Sequence, residues 1–225
     1  MGSLKCVECG LNNFAGSQVC RRCGAALIFS DSEPVVNRKR KVLKILLRSF
    51  GLAGFILFIG YASLISTSEP VVLEQRQVVD RAIDIIDRQG FGKEAFVLRN
   101  LVRYRKTDNW WNRYVGHESA YAATNFPFEV VTLYPSFFNH TVDDVERAAI
   151  LLHEAYHLFG RGEEVAFAGV WEDKKQLGWT KEKYAHTSVW TNVRDATLHY
   201  APEMFRCGQD GRSDCTEEIA LKRET

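Results

Sequence analysis

Apolar positions along this chain follow three patterns, and each predicts a different kind of element. Residues 49 to 68 form a run of twenty without a charge, including Phe50, Leu52, Phe55-Ile56-Leu57-Phe58-Ile59 and Leu64-Ile65. As a helix this run covers about 30 Å, the hydrocarbon thickness of a bilayer. A buried core helix is the competing reading. The run is apolar on every side, however, and Glu69-Pro70 ends it abruptly.

Beyond residue 70 the pattern turns amphipathic. Residues 71 to 89 place Val72, Val79, Ala82, Ile83, Ile85 and Ile86 among charges, predicting a helix stopped by Gly90-Phe91-Gly92. A second helix is expected over residues 93 to 105, with Phe96, Val97, Leu101 and Val102 inward. Trp110, Trp111, Tyr114 and Tyr121 cluster in a loop-rich stretch, and as large aromatics they are expected in the core. Residues 128 to 134 are β-branched and aromatic, bounded by Pro127 and Pro135, and predict a strand at the sheet edge beside a cleft, open to an extended peptide.

Val142, Val145, Ala149, Leu152, Tyr156 and Phe159 recur at three- and four-residue steps, the buried stripe of one helix. Thr141 with Asp144 resembles a capping box that starts it at residue 142, and Gly160 ends it. Residues 163 to 177 predict the next helix, with Phe167, Val170 and Trp171 inward, Glu172 and Asp173 facing solvent, and Gly178 as its stop. Thr180 can cap a last helix whose apolar side carries Val189, Trp190, Val193 and Leu198. The fold class expected is α+β, mostly helical with a small sheet, spread over residues 70 to 225.

Composition adds little until charge is placed along the chain. With 225 residues, 46% apolar and 25% charged, the chain is long enough for one domain plus smaller attachments. A net charge of +1 argues against a polyanionic partner, so no nucleic acid is expected. Residues 31 to 48 read as a linker and basic collar, with Arg38, Lys39, Arg40, Lys41, Lys44 and Arg48 just ahead of the apolar run. A cleaved signal peptide is disfavoured by the length of the run and by what precedes it. The positive-inside rule then places residues 1 to 48 in the cytoplasm and residues 70 to 225 outside it, a single-pass protein of the cell membrane.

Cysteine usage agrees with that topology. Four of the six cysteines stand before residue 24 and two after residue 206. Cys6-x2-Cys9-x10-Cys20-x2-Cys23 forms two knuckles whose thiolates can close tetrahedrally on one structural zinc, and a pair of disulfides is the alternative. Residues 1 to 30 are too few to bury an adequate core, and metal would supply the folding free energy they lack. Cys9-Gly10, Asn12-Asn13 and Cys23-Gly24 make this stretch similar to short zinc-ribbon modules, here read as a contact point for a protein partner. Cys207 and Cys215 can close a small disulfide loop, which belongs on the oxidising side of the membrane.

His153-Glu154-Ala155-Tyr156-His157 carries the chemistry. Residues four apart on a helix share a face, so both imidazoles can reach one metal ion, while Glu154 on the flank can act as a general base. Gly160 and Gly162 permit a turn that returns Glu163 as a third ligand, with Glu164 its rival. His117 and His140 lack ligand spacing. The run from His153 to Glu163 resembles the zincin metallopeptidases, whose metzincin members place a third ligand at this position, usually His. Ala166, three residues after Glu163, resembles the gluzincin arrangement.

The resemblance implies a zincin-like domain binding a catalytic zinc. It implies peptide or protein substrates, hydrolysed by a zinc-activated water with Glu154 as base. It also implies an oxyanion donor, for which Tyr184, His186, His199 and Tyr200 are candidates, and raises the question of whether Met204 underlies the metal. A non-catalytic sensor or interaction protein with the same outer fold is the alternative.

Overall fold

The computed structural model describes residues 3–27, 35–116, 120–208 and 213–217, with the backbone alone over 35–39. The chain divides into two compact units, Met1–Leu57 and Phe58–Thr225.

In the first unit, strands β1 (Ser3–Lys5) and β2 (Asn12–Phe14) pair antiparallel, with Leu4 opposite Asn13. Each Cys-x-x-Cys knuckle closes by the same pair of backbone bonds: Gly10 N donates to Cys6 O and Cys6 N to Leu11 O, while Gly24 N donates to Cys20 O and Cys20 N to Ala25 O. Both glycines have positive φ, at +72° and +73°, where a side chain would be strained. The core here is small, with Leu27 buried beside Cys6 and Cys20 and Leu11 and Ala25 packed against them, so the knuckles themselves organise it.

Helix α1 runs from Val35 to Ser66. Arg40–Ser66 is the one helical stretch among the described residues long and apolar enough to cross a membrane, with a mean hydropathy of 2.0 and its most apolar part unburied. The basic collar expected as part of a linker is instead the first part of this helix. Lys and Arg lose little rotamer freedom in a helix, so a helix nucleated in the apolar run extends back through them. Its end falls at Ser66, two residues earlier than the run suggested.

The second unit is mostly helical around a three-stranded sheet, with the short helices α4 (Trp110–Val115), α5 (Pro135–Asn139) and α8 (Lys181–Tyr184) between the longer ones. Its centre is α6 (Asp144–Leu158), packed against α2 (Leu73–Arg88), α3 (Gly92–Asn100) and α7 (Glu163–Leu177), with α9 (Ser188–Tyr200) across α7. Helix α6 is buried on more than the predicted stripe: Ala148, Ile150, Leu151, Ala155 and Leu158 are buried, whereas Val142 and Phe159 at its margins are exposed. Its cap is Asp143, whose carboxylate accepts from Val145 N and Glu146 N, and Thr141 instead donates to Phe137 O. Buried Glu146 accepts from Val142 N and from the Thr187 hydroxyl, tying the start of α6 to the start of α9.

Three other expectations change. The helix predicted to reach residue 105 stops at Asn100, and Arg103–Arg105 forms β3. Its buried residues are Ala95 and Leu98, while Phe96 and Leu101 face solvent, because the helix contributes only one turn-spaced contact row. Strand β5 (Val130–Leu133) lies in the middle of the sheet, parallel to β3 and antiparallel to β4 (Ala122–Asn125), so β3 and β4 are the edges and the predicted edge strand is the central one. All four residues of β5 are buried, as in a strand covered on both faces, and the one polar side chain among them, Thr132, accepts from Asn112 Nδ2 at 3.0 Å. Asp173 is half-buried and accepts from Tyr156 OH at 2.8 Å.

The final described segment latches onto α7. Cys207 and Cys215 are disulfide-bonded. Asp214, beside the disulfide, lies 3.1 Å from the fully buried Lys174 Nζ and accepts from Trp171 Nε1 at 2.9 Å. Thr216 and Glu217 approach the same ammonium, which also sits over the Trp171 ring.

Candidate metal centres and the cleft

Two donor clusters stand among the described residues. In the first unit the Cys6, Cys9, Cys20 and Cys23 sulfurs lie within 4.8 Å of one another, with Cys6–Cys23 at 3.6 Å and Cys9–Cys20 at 3.5 Å. Four thiolates bound to a tetrahedral zinc at about 2.3 Å stand about 3.8 Å apart, so the cluster fits such an ion after little movement. Backbone N–H groups of Cys23 and Arg22 lower the Cys20 thiol to about 6, and Asn13 Nδ2 donates to the same sulfur. Asn13 also accepts from Arg21 N, joining the first knuckle to the second.

In the second unit the cluster is His153, His157 and Glu163. The two histidines project from the last turns of α6. Gly160, at φ +73°, and Gly162, the cap of α7, reverse the chain so that the first residue of α7 returns to them. His153 Nε2 and His157 Nε2 are 3.0 Å apart, and Glu163 Oε2 is 3.3 Å and 3.4 Å from them. Donors around a four-coordinate zinc with bonds of about 2.0–2.1 Å stand about 3.3 Å apart, and the triangle has that size. Glu164, the rival on the adjacent position, is outside this group.

The surroundings prepare the donors. His157 Nδ1 donates to Arg161 O at 2.8 Å, which leaves Nε2 as the nitrogen turned toward His153 and Glu163. Burial pushes the His157 imidazolium down, but the Glu163 carboxylate and the Arg161 carbonyl outweigh it and raise the group to about 9. Both imidazoles, His153 first, hold the Glu163 carboxyl far below the usual carboxylate range. Among the described residues, His153 Nδ1 is buried without a partner.

Glu154 is 4% exposed and points to the same side. Thr124 on β4 donates its hydroxyl to Glu154 Oε2 at 2.7 Å. Both border a cleft of about 630 Å³ that runs along β4 from Ala120 to Thr124 and across to Phe167, Asn192 and Ala196. The Phe167 ring rests 4.3 Å from His153 and is stacked on Tyr200.

The oxyanion candidates do not reach this cleft. Tyr184 is buried and donates to Asp143 Oδ2 at 2.7 Å, supporting the α6 cap, and His186 and His199 lie on the exposed surface. Tyr200 stands behind Phe167. Met204 is packed in the core and does not line the cleft. His140 is exposed, and His117 lies outside the described residues.

Some residues that do line the cleft carry no signal in the sequence. Tyr121 OH accepts from Asn192 Nδ2 at 2.9 Å and stands 3.5 Å from Ser188 Oγ. Tyr121 and Asn192 are 71 positions apart, and no local pattern links them. Thr124 is marked only by the short apolar segment around it, which is too brief for a period-2 signal. Compared with known proteins, the chain matches no protein family, no curated protein and no solved structure.

Proposed function

We propose that this protein is a membrane-anchored zinc metallopeptidase. The observation that carries the reading is the pairing of a zinc-sized donor triangle, His153–His157–Glu163, with a buried carboxylate, Glu154, in one cleft along a strand edge. Zinc bound by these three side chains supplies Lewis acidity, acidifying water and polarising a carbonyl oxygen.

The chain's own residues account for the remaining steps. The free edge of β4 offers backbone N–H and C=O groups to an extended peptide, which pairs with it as one further strand. Thr124 occupies one oxygen of Glu154 and so directs the other at the reacting water. Glu154 takes a proton as that water adds to the peptide carbonyl carbon. The carbon–nitrogen bond then breaks, and Glu154 returns the proton to the departing amine. Tyr121, held by Asn192, is the hydroxyl in the cleft able to donate to the developing oxyanion.

The anchor is α1, with the collar in the cytoplasm and the second unit outside. Supporting this orientation are six basic residues at one end of the apolar stretch, free thiols in the first unit and a disulfide in the second. Zinc in the four-cysteine module has a structural role, its four positions all taken by sulfur, and the module is the contact point for a protein partner.

The test compares the full chain with Glu154→Gln in a peptide-cleavage screen, with zinc measured in each. Both proteins should hold two zinc ions per chain. The variant should lose at least about a hundredfold in rate, the scale of general acid–base catalysis. Undiminished cleavage by the variant sinks the reading. Two zinc ions with no cleavage by the wild type favours the non-catalytic sensor.

A further inference from the structure

We propose that the second unit carries a lipid-contacting surface, in which Trp110, Trp111 and Tyr114 of helix α4 (Trp110–Val115) and Phe126 of the β4–β5 turn lie in the headgroup layer of the leaflet from which α1 emerges. The proposal rests on α1 crossing a bilayer.

Exposure is the first observation. Trp110 is 46% exposed, Trp111 44%, Tyr114 80% and Phe126 59%, whereas Trp171, Trp179 and Trp190 are in the core. Trp110, Trp111 and Tyr114, expected in the core, are thus gathered on the surface of one short helix, with Phe126 exposed on a neighbouring turn. Exposed apolar groups of this size on adjacent elements mark a contact surface.

Attachment to α1 decides what the contact is. Trp110 Nε1 donates to Ser63 Oγ at 3.0 Å, and Trp110 N donates to Thr67 Oγ1 at 3.2 Å. Arg105 donates to Ile65 O at 2.7 Å and to Ser68 Oγ at 2.9 Å, and so caps the carbonyls at the end of the helix. Glu69 N donates to Thr107 Oγ1, and Lys106 N returns a bond to Glu69 O, both at 2.8 Å. On the β4–β5 turn, Phe128 packs so closely on Gly60 that a Cβ there would lie 2.9 Å from its ring. The aromatic surface is therefore bound to the last two turns of α1 and cannot stand far from them.

Depth follows from length. Ser49 to Ser66 is eighteen helical residues beyond the last collar charge, Arg48. At 1.5 Å per residue this is about 27 Å, slightly short of a hydrocarbon core of about 30 Å. Ser63 to Glu69 then sits at the edge of the hydrocarbon and not beyond it. Residues bonded to that stretch share its depth. Trp and Tyr favour this layer because an apolar ring and a polar N–H or O–H are both satisfied there. A lipid surface is the occupant for which α1 already sets the height, whereas nothing sets the position of a protein partner.

The surface also locates the cleft. Phe126 lines it, with its ring 3.6 Å from where a Cβ on Gly160 would stand. The cleft mouth therefore opens beside the leaflet and favours chain segments presented close to the membrane.

Reconstitution of the full chain in phosphatidylcholine vesicles provides the test. Tryptophan fluorescence is read with lipids carrying a nitroxide on the headgroup or deep in the acyl chain, for the wild type, Trp110→Phe, Trp111→Phe and the double variant. The wild type should be quenched more by the headgroup label, each single variant should lose part of that quenching, and the double variant should lose nearly all of it. The proposal is overturned if carbonate-resistant wild-type protein shows no headgroup quenching, or if the double variant is quenched like the wild type. Extraction of the chain by carbonate overturns the membrane span and this surface together. The single variants keep the comparison informative if the double variant unfolds.

Discussion

At the scale of single residues, the site depends on which of two adjacent carboxylates turns toward α6. Glu163 opens α7 directly after the Gly162 cap and meets both imidazoles, while Glu164 is rotated by about 100° on the helix and leaves the site. Glu163→Ala should therefore lower bound zinc from two ions per chain to near one, and Glu164→Ala should leave two, as measured by metal analysis after dialysis. Loss of zinc in the second variant alone would reverse the assignment. His153, Glu154 and His157 were legible as a motif because helical periodicity alone places them together. Thr124 and Tyr121 were not, since their approach to the motif depends on how β4 lies over α6.

Elements show how the site is held. Gly169 lets α7 approach α6 so closely that a Cβ there would lie 2.8 Å from the Tyr156 ring, and Tyr156 in turn donates to Asp173. The helices bearing His153 and Glu163 are thereby kept at a fixed spacing. Across the other side, Asp144 at the start of α6 meets Arg81 of α2 at 2.8 Å and Arg147 at 2.6 Å.

Burial alone would raise the Asp144 carboxyl, but its hydrogen bonds to Arg81 and Arg147 prevail and lower it. A depressed folded value means that Asp144 contributes stability above its unfolded value of about 3.9, and that the contribution is lost as pH falls through the folded value. Asp144→Asn should melt earlier than the wild type at about pH 6, with the gap closing as pH drops below about 3.9. A gap independent of pH in thermal melts would contradict this. The cap of α6 falls on Asp143 and not Thr141, because both are good capping residues and only the position of the backbone separates them.

For the whole molecule, the proposed topology sets an order of compartments along one chain. An impermeant maleimide added to intact cells and then to permeabilised, chelator-treated cells should label the four-cysteine module only in the second case. Labelling of intact cells would reverse the topology. The latch on α7 makes a second claim at this scale. Lys174 is fully buried, and Asp214 beside the disulfide is its nearest carboxylate at 3.1 Å. Removing one partner of a buried ion pair costs about 3–5 kcal/mol, so Asp214→Ala should lower the melting temperature well beyond the effect of a surface substitution. A change no larger than that of Glu172→Ala would show that the latch is dispensable.

The sequence by itself determined the features that depend on short-range order. These are the apolar helix, the paired cysteine knuckles, the amphipathic helices and the face shared by His153 and His157. Each follows from periodicity or spacing within a few turns of chain, where backbone geometry leaves one outcome. Tertiary structure decided what lies between elements: that β4 and not β5 is the edge beside the cleft, that Glu163 and not Glu164 completes the donor triangle, and that Trp110 and Trp111 stay at the surface. Those outcomes depend on contacts made across tens of residues, and on two indoles remaining exposed beside the end of α1, where their hydrophobicity had predicted a core position.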